Sequence, residues 1–178
     1  GAIELGLSAY DAYDAGKTML DPNSSTSEKT VAAGLFIVGV VFPGGGYTQL
    51  DNLSKWGIKS TKAIQRVNQR AQEATNMLFG KNNVMNIDLG GLSSTQEANA
   101  IGEAIVGELK FSERYGSFVG EKLIKNKNGE FKINYRGPHE KQNSARATTG
   151  TQANIELYKK SPNGDWVRQK NVHIDIKD

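Results

Sequence analysis

Two histidines occur in the 178-residue chain, His139 and His173, and both fall in its most basic part. Cleaving RNA without a metal needs a base for the 2′-hydroxyl, an acid for the leaving 5′-oxygen and cations for the phosphate. Imidazole titrates near neutrality and serves as either base or acid. Arginine and lysine supply the charge stabilisation that a reacting phosphate needs. The candidate catalytic residues are therefore His173, His139, Glu156 and Arg136. His173 would exchange protons together with Glu156 or His139. Arg136 would hold the phosphate with Lys132 or Lys141. Asn134, Asn154 and Asp175 complete the substrate-binding set. Asp175 orients His173 only if its strand bends, because residues i and i+2 do not normally touch closely.

Strand alternation is what brings these residues to one side. Phe131, Ile133 and Tyr135 alternate with Lys132, Asn134 and Arg136. Ala153, Ile155 and Leu157 alternate with Asn154, Glu156 and Tyr158, and Val172, Ile174 and Ile176 with His173, Asp175 and Lys177. Side chains point to opposite faces in turn, so the apolar sets define a core face and the polar sets a solvent face. Taken singly, each polar residue also reads as an ordinary solvent-face residue, and Trp166 as core, with base stacking as its other role. Their coincidence carries the reading. His139 follows Gly137-Pro138, in a polar loop over 139–150 that could fold across this face.

The other elements precede these strands. Residues 3–20 carry apolar side chains at helical spacing, broken at Asp21-Pro22. Ser25 and Glu28 form a capping-box pair before the apolar run Val31–Phe42, which stops at Pro43-Gly44-Gly45-Gly46. Twelve helical residues reach ~18 Å, short of a ~30 Å hydrocarbon core, so this is a buried helix or a segment in transient membrane contact. Ile64, Val67, Ala71, Ala74 and Leu78 mark a helix within 51–79. A loop or short strand surrounds Met85-Asn86-Ile87. Ser94 and Glu97 open a helix expected to run to about Phe111. Asn128-Gly129 and Ser161-Pro162-Asn163-Gly164 are turns.

Helices first and strands afterwards indicate α+β: an N-terminal helical segment, then a helix packed on a four- or five-stranded antiparallel sheet. Two units are expected, a helical segment over 1–92 and a basic domain over 93–178. Charge divides similarly. Residues 1–121 hold 10 Lys+Arg against 13 Asp+Glu, and residues 122–178 hold 12 against 6. A basic module of this kind suits an anionic partner, with RNA, and tRNA in particular, as the expected one. With no cysteine, disulfides, thiolate metal sites and cysteine nucleophiles are excluded. No metal and no cofactor is expected.

The stretch Ala12-Tyr13-Asp14-Ala15, Leu20-Asp21-Pro22, Ser27-Glu28-Lys29 and Val38-Gly39-Val40-Val41-Phe42-Pro43-Gly44-Gly45-Gly46 resembles the pre-toxin segments of bacterial polymorphic toxins. Contact-dependent inhibition proteins and Rhs-type proteins deliver such toxins. The resemblance implies secretion or cell-surface delivery, action in a target cell's cytoplasm, and a cognate immunity protein. The later part is similar in layout to the ribonuclease fold of barnase, the ribonuclease colicins and RelE, without a shared motif. Three other chemistries compete. Glu108-Leu109-Lys110 with Asp88 has the spacing of a metal-dependent DNase. Tyr135-Arg136-Gly137 with Glu156 fits an ADP-ribosyltransferase. Val31–Phe42 alone fits a membrane-active translocation module.

Overall fold

A computed structural model of the chain describes residues 53–141 and 145–178. The expected helix over 3–20, the capped helix from Ser25 and the apolar run Val31–Phe42 lie outside the described residues. Among the described residues, no helix is long and apolar enough to cross a membrane.

Helix α1 spans Thr61–Leu78, and the Ser60 hydroxyl caps it by accepting from the Ala63 N–H at 3.1 Å. Its 3–4 spacing buries Val67, Ala71, Ala74 and Leu78 as the sequence implies. Helix α2 spans Thr95–Val106, with Ser94 accepting from the Glu97 N–H at 3.1 Å. The Glu97 carboxylate accepts instead from Arg66 Nε and the Ser93 hydroxyl, each at 2.8 Å, and so ties α1 to α2. Helix α2 stops short of the expected Phe111. Gly107 takes φ 89°, in the left-handed region that glycine enters without a Cβ penalty, and turns the chain out of the helix.

The strands are β1 Asn86–Asp88, β2 Lys110–Ser112, β3 Ser117–Asn126, β4 Gly129–Glu140, β5 Thr151–Lys160 and β6 Trp166–Asp175. They form one six-stranded sheet in the order β1-β6-β5-β4-β3-β2. The α+β class holds, but the sheet is larger than the expected four or five strands and is mixed. Strand β1 runs parallel to β6, with Ile87 opposite Val172 and Asp88 opposite His173. The remaining neighbours are antiparallel.

Strand β4 also outruns its expected stop at Gly137-Pro138. The pairing shifts register between Arg136 and His139, then resumes with His139 opposite Gln152 and Glu140 opposite Thr151. Proline brings no N–H and so suits such a bulge. His139 is therefore a strand residue and not part of a loop.

Both helices pack on one sheet face. Ile133, Tyr135, Ile155, Leu157, Val172 and Ile174 meet Ile101, Ile105, Val67 and Leu78 in a single apolar cluster that also takes in Leu53 and Trp56. The division expected between residues 92 and 93 falls inside this shared core. One contact fixes the seating of α2. A Cβ on Gly102 would lie 2.6 Å from ring carbons of Tyr135, so the ring sits directly against the helix backbone. The Tyr135 hydroxyl donates to Asn99 Oδ1 at 2.9 Å and satisfies its one polar group. Among the described residues no helix packs on the opposite sheet face, which carries the polar side chains.

Candidate active site

Register assembles that polar face rung by rung. Arg136 lies opposite Asn154, Asn154 opposite His173, and His173 opposite Asp88. The next rung is Asn134, Glu156, Asn171 and Asn86, and the one after it Lys132, Tyr158 and Arg168. On the other side of the Arg136 rung, His139, Gln152 and Asp175 line up. Directly opposed residues share a face, so the alternation read from sequence holds across β4, β5 and β6.

A cleft of about 680 Å³ opens on this face. Arg136, Lys141, Asn134, Asn154 and Glu156 line it, as do Tyr158, Tyr115, Lys110, Glu108 and Glu121. The Arg136 guanidinium lies 4.7 Å from the ring centroid of Tyr115 and makes no ion pair among the described residues. Stacking on a tyrosine holds the fork in place without consuming its charge. Burial lowers the Lys141 ammonium pKa, and the nearby positive Arg136 lowers it further. Glu156 is held from two sides: the Tyr158 hydroxyl donates to it at 2.6 Å and Arg168 Nη1 at 3.1 Å. Burial, then the hydrogen bond to Glu156, pushes the Tyr158 phenol up to about 12, so it keeps its proton at neutral pH.

His139 is half-buried at the next rung. Its Nδ1 lies 2.8 Å from the Gly137 carbonyl oxygen. A carbonyl only accepts, so Nδ1 carries the hydrogen, and in the neutral ring Nε2 keeps its lone pair. Burial lowers the His139 pKa, outweighing the bond to Gly137, and Arg136 and Lys141 add to the effect. Nε2 is shielded from solvent and has no partner among the described residues. Asn134 Oδ1, Asn154 Oδ1 and Arg136 Nε are in the same condition. Buried polar atoms are nearly always hydrogen-bonded, so four unsatisfied ones set this face apart among the described residues.

No family model matches this chain, nor does any curated protein or any solved structure. The chemistry of the face is thus the whole basis for reading the site.

His173 departs from its expected place at the reacting centre. It is 7% exposed, and both ring nitrogens are occupied. Nε2 lies 3.0 Å from Asn86 Oδ1, and Nδ1 lies 3.1 Å from Gln152 Oε1 and 3.0 Å from Asn154 Nδ2. Strand β1 causes this, since it extends the sheet past β6 and sets Asn86 against the ring. Burial lowers the His173 pKa. Asp175 does not reach the imidazole. It accepts from the Thr148 hydroxyl at 2.7 Å and from Gln152 Nε2 at 2.8 Å, and Gln152 carries the connection onward. Lys132 lies outside the cleft, with its ammonium 5.4 Å from the Tyr158 ring centroid and 5.0 Å from that of Trp166.

Tyr158, Tyr115, Gln152 and Asn86 were not singled out by the sequence. Alternation could have found Tyr158 and Gln152, two residues from Glu156 and Asn154 on the same face. Tyr115 and Asn86 had no such signal, since one sits in a tight turn and the other on a three-residue strand. Glu108 and Lys110 line the cleft, but Asp88 stands on β1, at the opposite edge of the sheet from β2. Among the described residues, no three His, Asp or Glu side chains are grouped to hold a metal ion. Tyr135 and Arg136 face opposite sides of the sheet, as strand neighbours must.

Proposed function

We propose that this protein is a ribonuclease acting through the cleft on the polar sheet face, and that it serves as a toxin delivered into a competing cell. The observation that carries the reading is the buried His139 Nε2, without a partner among the described residues, beside an Arg136 fork that pairs with no carboxylate of those residues. A neutral imidazole with an available lone pair accepts a proton, and a guanidinium fork binds phosphate oxygens bidentately. The Val38–Gly46 stretch and its flanks, which resemble pre-toxin segments, supply the toxin half of the proposal and with it an immunity protein as partner.

In the proposed reaction His139, which stands beside the cleft lining with Nε2 covered, exposes Nε2 as the RNA strand binds and takes the proton from a ribose 2′-hydroxyl. The 2′-oxygen forms a bond to phosphorus as the P–O5′ bond breaks. Arg136 and Lys141 hold the non-bridging oxygens, where negative charge builds up. The departing 5′-oxygen takes its proton from water in the cleft, while Glu156, held by the Tyr158 hydroxyl and Arg168, stays ionised beside it. The products are a 2′,3′-cyclic phosphate and a free 5′-hydroxyl. Asn134 and Asn154 offer amides to the ribose or base.

Incubation with tRNA and with duplex DNA, each with and without a chelator, tests the proposal. Chelator-insensitive RNA cleavage is expected, lowered by about 10²–10⁴-fold in His139→Ala with an unchanged fold. Intact RNA, or cleavage confined to DNA and abolished by the chelator, would overturn it.

A further inference from the structure

Trp166 is not where a tryptophan is expected. It lies outside the apolar cluster, half-buried on the polar face, at the start of β6. It sits opposite Lys160, with Tyr158 opposite Arg168 one rung nearer the cleft. The Lys132 ammonium stands between the two rings, 5.0 Å from the Trp166 centroid and 5.4 Å from the Tyr158 centroid. A second ammonium, from Lys160, is 5.8 Å from the Trp166 ring and is paired with Glu130 at 3.1 Å, which leaves Lys132 as the cation of the patch. Leu123, in register with Lys132 across β3 and β4, is 65% exposed and adds an apolar neighbour.

We infer that Trp166, Tyr158 and Lys132 form a second subsite, where a base of single-stranded RNA stacks beside a neighbouring phosphate. Aromatic faces accept any base, and ammonium groups at their margins neutralise the backbone, the combination that single-strand binding sites use. Tyr158 belongs to both the cleft and this patch, so the two are continuous. Arg136 and Lys132 are four residues apart on β4, ~13 Å along the strand. That distance is several times the ~3.4 Å stacked rise per nucleotide. A strand held at Arg136 and running a few nucleotides along β4 therefore reaches Lys132, whose ammonium lies 5.0 Å from the Trp166 ring. A duplex keeps its bases paired and stacked inside and offers no free face to the ring.

The subsite takes its substrate class from the ribonuclease reading, so the test separates binding from cleavage. The probe is a six-nucleotide RNA, 2′-O-methylated throughout so that it cannot be cleaved, with a duplex of the same sequence as control. The full chain should bind the single strand more tightly than the duplex, with a change in tryptophan emission that Trp166→Phe abolishes. Trp166→Ala should weaken hexamer binding by about tenfold, and Trp166→Phe by less. Lys132→Ala should lower the slope of log affinity against log salt by about one. Cleavage of a dinucleotide, too short to reach the patch, should be unaffected by Trp166→Ala. Equal hexamer affinities for wild type and Trp166→Ala, or equal affinities for single strand and duplex, would overturn the subsite. Tight hexamer binding that depends on Trp166, without any RNA cleavage, would leave the subsite standing and remove the ribonuclease reading. RNA cleavage with a hexamer affinity indifferent to Trp166 would do the reverse.

Discussion

Three amide side chains surround the imidazole of His173, and none of them is replaceable by solvent at a 7% exposed position. In the neutral ring Nε2–H donates to Asn86 Oδ1 and Nδ1 accepts from Asn154 Nδ2, so replacing His173 by Ala leaves Asn86 Oδ1 without its donor and Asn154 without that acceptor. The expected loss is about 1–3 kcal/mol in denaturant unfolding, with RNA cleavage retained well below the melting temperature. Abolished cleavage in a variant of wild-type stability would return His173 to the chemistry. Both imidazoles are held below their ordinary pKa of 6.5, mainly by burial. Below pH 6.5 the unfolded chain takes up protons that the native rings refuse. Stability is therefore complete above that pH and declines as pH falls towards the lowered native values. Unfolding free energies at pH 8, 6.5 and 5 should trace this decline, and His173→Asn should flatten it; a profile rising on acidification would contradict it. Period-two alternation made the shared face of Lys132, Asn134, Arg136, Asn154, Glu156 and His173 legible in the sequence. The burial of His173 was not legible, because the residue that closes over it belongs to a strand distant in the chain.

Among the elements, those with several repeats of their own period could be read directly: α1, the start of α2, and strands β4 to β6. Strands β1 and β2 have three residues each, too few to display any period. The end of α2 was misread for a related reason. Leu109 continues the spacing of Ile101 and Ile105 and imitates a further helical turn, while it is buried from the segment leading into β2. A glycine at position 107 outweighs that spacing. Gly102 has the opposite role, inside the helix. Ala in its place has the higher intrinsic helix propensity, by about 1 kcal/mol, yet it would drive a methyl into the Tyr135 ring. Gly102→Ala should therefore destabilise by about 1–3 kcal/mol, the usual range for overpacking. Thermal unfolding measures it, and an increased melting temperature would show that α2 can slide off the ring. Such sliding would also shift β4, the strand that carries Arg136 on its other side.

For the molecule as a whole, residues before and after position 92 share one interior. Leu53, Trp56, Val67, Ala71, Ala74 and Leu78 contribute to the same cluster as the sheet. The Arg70 guanidinium donates to the Gly90 carbonyl at 3.1 Å and to the Ser93 hydroxyl at 3.2 Å, bridging the proposed division. A chain of residues 93–178 alone should show no cooperative thermal transition and no near-ultraviolet circular dichroism, whereas the full chain should show both. A sharp transition in the fragment would establish that the basic part folds alone. The charge imbalance that suggests two units is a property of the surface, and it coexists with a continuous core.

The parallel pairing of β1 with β6 also orders events during synthesis. Asn86–Asp88 leave the ribosome long before Trp166–Asp175, yet β1 has no lateral partner among the described residues until the latter arrive. The sheet can therefore close at that edge only after residue 173 has emerged. Until then Asn86 has no imidazole to meet, and half of the polar surface lacks the strand between β1 and β5. A nascent chain stalled before that point holds an unfinished groove close to the RNA-rich machine that is making it.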